Sequence, residues 1–366
     1  MKTARFYFVY TGTYTGKKSE GIYGHRFDAE TGQFTLMGLA AKVVNPSFVV
    51  TDPHHRFLYA VTEMGEEPGA DSYEKNGYVN SFSINPQTGS LTFINQVDAS
   101  GSGSCHLTVD STGKLLFVAN YGSGSVASFA INPDGSIGKR TDFDQHSGSS
   151  VDPLRQEGPH AHAVVLSTEN RFLFVPDLGT DQIRIYRVDP EKGSLAPNNP
   201  PFASVKEGLG PRHFAFGRGA KFAYVVCEMG SSVAVFAYDP MQGSLTPVQT
   251  ISNLPSDFEE EDNAAEIEVD QSGQFLYASN RGHDSITVFA IDPQHGTLTK
   301  VQVVSTHGKT PRNFAIDPTG KYLLAANQDS DQMVVFSVDQ KDGQLKPTGQ
   351  VVDTPCPVSI LFVPAQ

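Results

Sequence analysis

Pro211-Arg-His-Phe-Ala-Phe216 is followed, after Gly217-Arg-Gly-Ala-Lys221, by Phe222-Ala-Tyr-Val-Val-Cys-Glu228. The pattern predicts two antiparallel strands joined by a tight turn, with Arg212 entering the first and Glu228 leaving the second. A strand running down and its partner running back bring those two residues to the same end of a sheet. Arginine holds a carboxylate or phosphate through two parallel N–H groups and can stabilise a developing oxyanion. A glutamate or histidine beside it can take a proton from water or from a carbon next to a carbonyl. The chemistry such a set supports is hydrolysis or lactonisation of an anionic small molecule.

The same unit recurs along the chain. A run of aromatic or aliphatic residues after a turn appears at Phe6, Phe57, Leu115, Phe172, Phe222, Phe275 and Tyr322, at spacings of 47 to 58 residues. That interval lies in the range of propeller blades. Turns such as Asp110-Ser-Thr-Gly-Lys and Asp317-Pro-Thr-Gly-Lys precede several of these runs. Hairpins such as Phe236-Ala-Tyr-Asp-Pro-Met-Gln-Gly-Ser-Leu follow them. Asp, Pro, Ser and Gly supply the turn conformations, and amphipathic helical periodicity is absent. The fold expected is all-β: one seven-bladed propeller over residues 1–366, with four antiparallel strands per blade. The C-terminal Cys356-Pro-Val-Ser-Ile-Leu-Phe is expected to complete the N-terminal blade and leave no free edge.

Aligning the copies predicts two rings of residues at one channel mouth. The innermost strands begin with Ser47, Cys105, His162, Arg212, Ala265, Arg312 and Cys356, followed by Phe48, His106, Ala163, His213, Glu266, Asn313 and Pro357. The second strands end with Gly12, Glu63, Tyr121, Leu178, Glu228, Arg281 and Gln328. Packing needs only apolar alternation here, so the charged members mark a candidate site. Segments 64–77, 144–158 and 253–263 are long for turns and should lie on that same face, where sites on rigid scaffolds collect. Arg212 is expected to point into solvent at the mouth, so that Arg212→Ala would spare the fold.

Plainer readings stand beside these. Any one Arg or Glu could form a rim salt bridge of small energetic weight. Cys227 next to Glu228 has nucleophile chemistry, but a small buried thiol is the commoner case. His160 and His162 would share a strand face, a spacing that suits a metal, yet no third ligand stands at readable spacing. Neither metal nor other cofactor is expected.

Composition narrows the partners. A net charge of −13 disfavours nucleic acid and anionic membranes, and no apolar run approaches the ~18 residues of a membrane span. The three cysteines are widely spaced without a CxxC, so a reducing compartment is expected. The first ten residues lack a secretory apolar core, and a cytoplasmic protein, monomeric or a small homo-oligomer, is the expectation.

Gly210-Pro-Arg-His-Phe, Glu228-Met-Gly-Ser-Ser-Val, Ala264-Ala-Glu-Ile, Asn280-Arg-Gly, Pro311-Arg-Asn-Phe and Tyr10-Thr-Gly-Thr-Tyr-Thr, in that set, resemble the seven-bladed propeller lactonase family. Its branches include 6-phosphogluconolactonases and carboxymuconate cyclases. The resemblance spans nearly the whole chain. It implies metal-free hydrolysis of 6-phospho-D-glucono-1,5-lactone to 6-phosphogluconate, a step of the pentose phosphate route. It also implies catalytic roles for His162, Arg212, Glu228 and Arg281, with His160 as the alternative histidine. His160, His213, Glu266 and Arg312 complete the set as substrate-binding candidates, with His162 or Glu228 as the base. Two rivals remain: a lactonising cycloisomerase, and a propeller that only binds proteins.

Overall fold

A computed structural model describes residues 4–16, 18–64 and 76–366. Among them are seven four-stranded antiparallel sheets, no α-helix, and two single-turn 3-10 helices at Leu178–Thr180 and Gln328–Ser330. The sheets form a ring of seven blades. Blade 1 combines Phe6–Thr13, Gly21–Asp28 and Gln33–Lys42 with the C-terminal strand Pro357–Pro364, which pairs with Phe6–Thr13 from the inner side. Blades 2 to 7 follow in chain order, with innermost strands starting at Val49, Ser104, Val165, Pro211, Asn263 and Pro311. The closure expected from the two termini is therefore present.

The second strand of each blade is buried on both faces, because neighbouring blades cover it. That is why Leu115–Asn120 and Phe172–Asp177 read as continuous apolar runs rather than alternating ones. Between blades 4 and 5, Phe174 stacks on Phe214 with centroids 5.2 Å apart, and Phe172, Ile185 and Phe236 fill the same layer. Truncating such a fully buried ring to alanine costs about 3–5 kcal/mol.

Two local devices set the geometry. Carboxylates cap the turns between first and second strands: Asp110 Oδ1 accepts from the backbone N–H of Lys114 and of Leu115, each at 2.8 Å. At the opposite sheet edge, each outer hairpin glycine lies against the first residues of the preceding blade's second strand. In Gly296, at φ 72°, an added Cβ would sit 2.3 Å from the Phe222 ring. Four tyrosines tighten this clasp: Tyr10, Tyr59, Tyr224 and Tyr277 donate their hydroxyls to the carbonyls of Gly89, Gly135, Gly296 and Gly343.

The innermost strands carry a recurring bulge. Pairing slips between Pro211 and His213, between Ser104 and His106, and between Pro311 and Asn313. A bulge re-aims side chains, so Arg212 and His213 both face the channel although they are sequence neighbours. The closing blade departs from the expected alignment. Thr13 lies opposite Pro357 and Gly12 opposite Ser359, as Cys227 lies opposite Pro211 in blade 5. Tyr14 and Val358, not Gly12 and Cys356, hold the mouth positions of blade 1. The reason is that its Phe6–Thr13 strand is 8 residues long, against 6 for Phe222–Cys227. Segments 144–158 and 253–263 lie on the Glu228 side, as expected; of segment 64–77, residues 65–75 fall outside the described residues.

Candidate active site

Glu228 follows the second strand of blade 5 and is 5% exposed. Its carboxylate gathers three arginines from three parts of the chain. Arg212 donates Nε to Oε2 at 2.8 Å, Arg281 Nη2 lies 2.9 Å from Oε2, and Arg155 donates Nη2 to Oε1 at 2.6 Å. Burial disfavours the charge of Glu228, but Arg281, Arg212 and Arg155 outweigh it and hold the carboxyl well below the usual carboxylate range. A carboxylate so depressed and so fully engaged is a poor proton acceptor. Of the two candidate bases, Glu228 is better suited to organising guanidinium groups.

Arg212 is 2% exposed. Besides Glu228 it donates Nη1 to the carbonyl of Ala265 at 2.9 Å and lies against His213 Nε2 at 3.3 Å. The expectation that it points into solvent is therefore wrong. The bulge at Pro211/His213 turns it inward beneath the mouth, where the neighbouring blade covers it.

Arg281, at the end of blade 6's second strand, gives Nε to the carbonyl of Asn263 and Nη2 to that of Ala264. Burial brings its pKa down to about 10, helped by Arg212 and Arg312 and opposed by Glu228. Arg312 lies over the Tyr14 ring, 5.1 Å from its centroid. The Tyr14 hydroxyl in turn donates to Glu63 at 3.0 Å. Arg155 was not anticipated. It comes from the 144–158 segment between blades 3 and 4, outside the repeated strands, so alignment of the repeats does not bring it to notice.

These groups enclose a polar cavity of about 300 Å³ lined by Glu63, Tyr121, Arg155, His162, Glu228, Asn263, Arg281 and Arg312. That is the scale of a small-molecule site. His162 is 5% exposed, with its Nδ1 3.9 Å from Cys105 Sγ. Burial, then Arg212, His213, Arg312 and Arg281, push its pKa well below the ordinary value, so the imidazole is neutral at physiological pH. A neutral imidazole is the form that accepts a proton.

The remaining expected residues sit elsewhere. His160 lies outside the cavity lining: its ring stacks on Tyr121 at 4.5 Å, and its Nδ1 donates to the Tyr121 carbonyl at 3.0 Å. His213 and Glu266 lie deeper, around a constriction of about 10 Å³ that also touches Arg212, Arg312 and Asn313, room for roughly one water. His213 Nδ1 donates to Glu266 at 2.9 Å while Arg212 occupies its Nε2 side. Burial lowers the pKa of His213 despite Glu266, so this histidine too is neutral. His106 accepts the Val164 N–H on Nδ1 and packs edge-on against the His213 ring. Cys227 is fully buried, and burial pushes its thiol up to about 12, which removes it as a nucleophile.

The loop that carries Arg155 is braced by one carboxylate. Asp181 accepts from Ser150 Oγ and Gln156 Nε2 of that loop, at 2.6 and 2.8 Å. It also accepts from the backbone N–H groups of Gly208 and Gly210, each at 2.7 Å, on the turn that leads into Arg212. A second brace is the fully buried pair of His146 Nδ1 and Asp177 Oδ2 at 2.5 Å, with Asp177 Oδ1 accepting the His160 N–H.

Comparison with known proteins agrees with this architecture. The family model "Lactonase, 7-bladed beta-propeller" matches residues 8–362. The chain is 35% identical to the 6-phosphogluconolactonase of Bacillus subtilis over 84% of both chains. It is 33% identical to that of Formosa agariphila, over 84% of this chain and 86% of the other. It superposes on the structure of the Pseudomonas aeruginosa periplasmic gluconolactonase with a TM-score of 0.92 and 36% identity, covering 99% of this chain and 100% of that one. The chain belongs to the seven-bladed β-propeller lactonase family.

Proposed function

We propose that this protein hydrolyses a sugar lactone, 6-phospho-D-glucono-1,5-lactone first, to the open acid, without a metal, as a step of the pentose phosphate route. The observation that carries this reading is the convergence of Arg155, Arg281 and Arg312 with a neutral His162 on one cavity. His162 takes a proton from water as the water oxygen adds to the lactone carbonyl. The guanidinium groups face the oxygen on which negative charge develops, and pre-oriented donors there lower the barrier. The carbonyl then re-forms, the ring C–O bond breaks, and the departing ring oxygen takes the proton back to become a hydroxyl. Arg212 and Glu228 hold the arrangement from below.

The relatives named 6-phosphogluconolactonase support the phosphorylated substrate, and the one named gluconolactonase supports lactone chemistry more broadly. Three widely spaced cysteines without a CxxC favour a reducing compartment, whereas one relative is named for the periplasm; fractionation of cells decides between them. The functional test is lactone hydrolysis by purified protein above the spontaneous rate, with and without a chelator. Acceleration that survives the chelator and disappears in His162→Gln supports the reading; no acceleration on any sugar lactone overturns it.

A further inference from the structure

Four arginines surround Glu228 and His162, and they are not equivalent. Arg212 is buried with donors on Glu228 and Ala265. Arg281 has Nε and Nη2 committed to Asn263, Ala264 and Glu228. Arg312 lies over the Tyr14 ring. Arg155 alone of the four comes from a loop, and its side chain is 40% exposed. One nitrogen, Nη2, makes both of its side-chain hydrogen bonds, to Glu228 at 2.6 Å and Tyr121 Oη at 3.4 Å. Its Nε and Nη1 have no hydrogen-bond partner among the described residues; Cδ lies between them, so they offer two separate donors.

Charge decides which side of Arg155 an anion would occupy. On the outer side lies a groove of about 430 Å³ shared with Asp152, Glu260, Glu261 and Asp262. An anion is repelled there. On the inner side stand Arg281 and Arg312, with Arg212 beneath them, so that together with Arg155 four guanidinium groups face the two carboxylates Glu63 and Glu228. The inner side therefore has positive charge to spare, in a chain whose net charge is −13. Asp181 holds the loop through Ser150 and Gln156, so the fork is pre-positioned before a ligand arrives.

We propose that Arg155 is a specificity-determining residue: its guanidinium grips the phosphate of a phosphorylated sugar lactone and sets the preference over the unphosphorylated lactone. The inference rests on the lactone-hydrolase reading above. A guanidinium cation with N–H donors left to give pairs with phosphate by charge and hydrogen bond together, which a neutral hydroxymethyl group cannot reciprocate.

The test compares kcat/KM for 6-phosphogluconolactone and for glucono-1,5-lactone in wild type, Arg155→Ala and Arg155→Lys, with thermal unfolding confirming that each is folded. The expected result is a loss on the order of 10- to 100-fold for the phosphorylated lactone in Arg155→Ala, carried by KM. The loss for the neutral lactone is roughly tenfold smaller than for the phosphorylated one, and Arg155→Lys recovers part of the difference. Equal losses on both lactones, or no loss on either, overturn the proposal. A wild-type protein that hydrolyses neither lactone overturns the underlying reading instead, and the two failures are thereby distinguished.

Discussion

Arg212 Nε meets Glu228 Oε2 at 2.8 Å across adjacent strands of blade 5, with both residues no more than 5% exposed. The pair joins the fold to the site. Removing one partner of a buried ion pair costs up to about 3–5 kcal/mol, and less where, as here, Arg281 and Arg155 still hold Glu228. Arg212→Ala is therefore expected to lower the melting temperature by several degrees as well as abolish hydrolysis, measured by calorimetry beside a lactonase assay. A variant with wild-type melting and no activity would assign Arg212 to chemistry alone.

The buried histidines set a pH dependence. His106, His162 and His213 all have folded pKa values below the ordinary one, burial being the largest cause in each. Below about pH 6.5 the unfolded chain binds protons that the folded chain refuses, so stability falls as pH falls, by up to about 1.4 kcal/mol per pH unit for each histidine. Glu228 acts at lower pH. Its depressed pKa gives stability that is present above the unfolded value near 4.5 and lost as pH drops toward the folded one. Unfolding midpoints in denaturant are expected to decline from pH 7 to pH 5, and His106→Gln should flatten the slope. In the same range kcat/KM should show no inflection near 6.5, since His162 stays neutral; a drop centred there would place its pKa at the ordinary value.

Asp181 positions two arginines at once. It accepts two hydrogen bonds from the Arg155 loop and two from the turn before Arg212. Asp181→Ala leaves those four donors without their acceptor, and faster amide exchange is expected over residues 146–158 and 206–212. Hydrolysis should fall by at least tenfold, the scale of a hydrogen bond to a charged group. Unchanged exchange in the 146–158 loop would show that the His146–Asp177 pair suffices to hold it.

The clasp between blades is sensitive to a single methyl group. Gly296→Ala would place a Cβ 2.3 Å from the Phe222 ring in a backbone conformation at φ 72°. The substitution is expected to lower stability by about 1–3 kcal/mol, read by chemical denaturation, with kcat/KM on the remaining folded protein unchanged.

Much of this was legible in the sequence because the repeat is local. Turn residues and buried second-strand runs such as Phe172-Leu-Phe-Val recur in each blade, and they specify strands without reference to distant contacts. Alignment of the copies also brought His162, Arg212, Glu228 and Arg281 to one end of the ring. What was not legible depends on departures from the repeat. The bulge that turns Arg212 inward leaves no residue-type signature. The longer first strand shifted blade 1 by two positions, to Tyr14 and Val358. Arg155 sits in a blade-to-blade link outside the repeated strands, and Asp181, distant from it in sequence, braces that link beside Glu228.

The tyrosine-to-glycine clasps and the C-terminal strand together make the ring a closed linkage with clipped joints. A linkage of that kind cannot open by swinging one blade outward, because the displacement would have to be absorbed by every other joint. The cavity lies on the face that carries segments 144–158 and 253–263. Architecture and selectivity are thus written in separate stretches of the chain: hairpin glycines and their aromatic seats keep the hoop, while segments such as 144–158 can diverge and change what is admitted without loosening it.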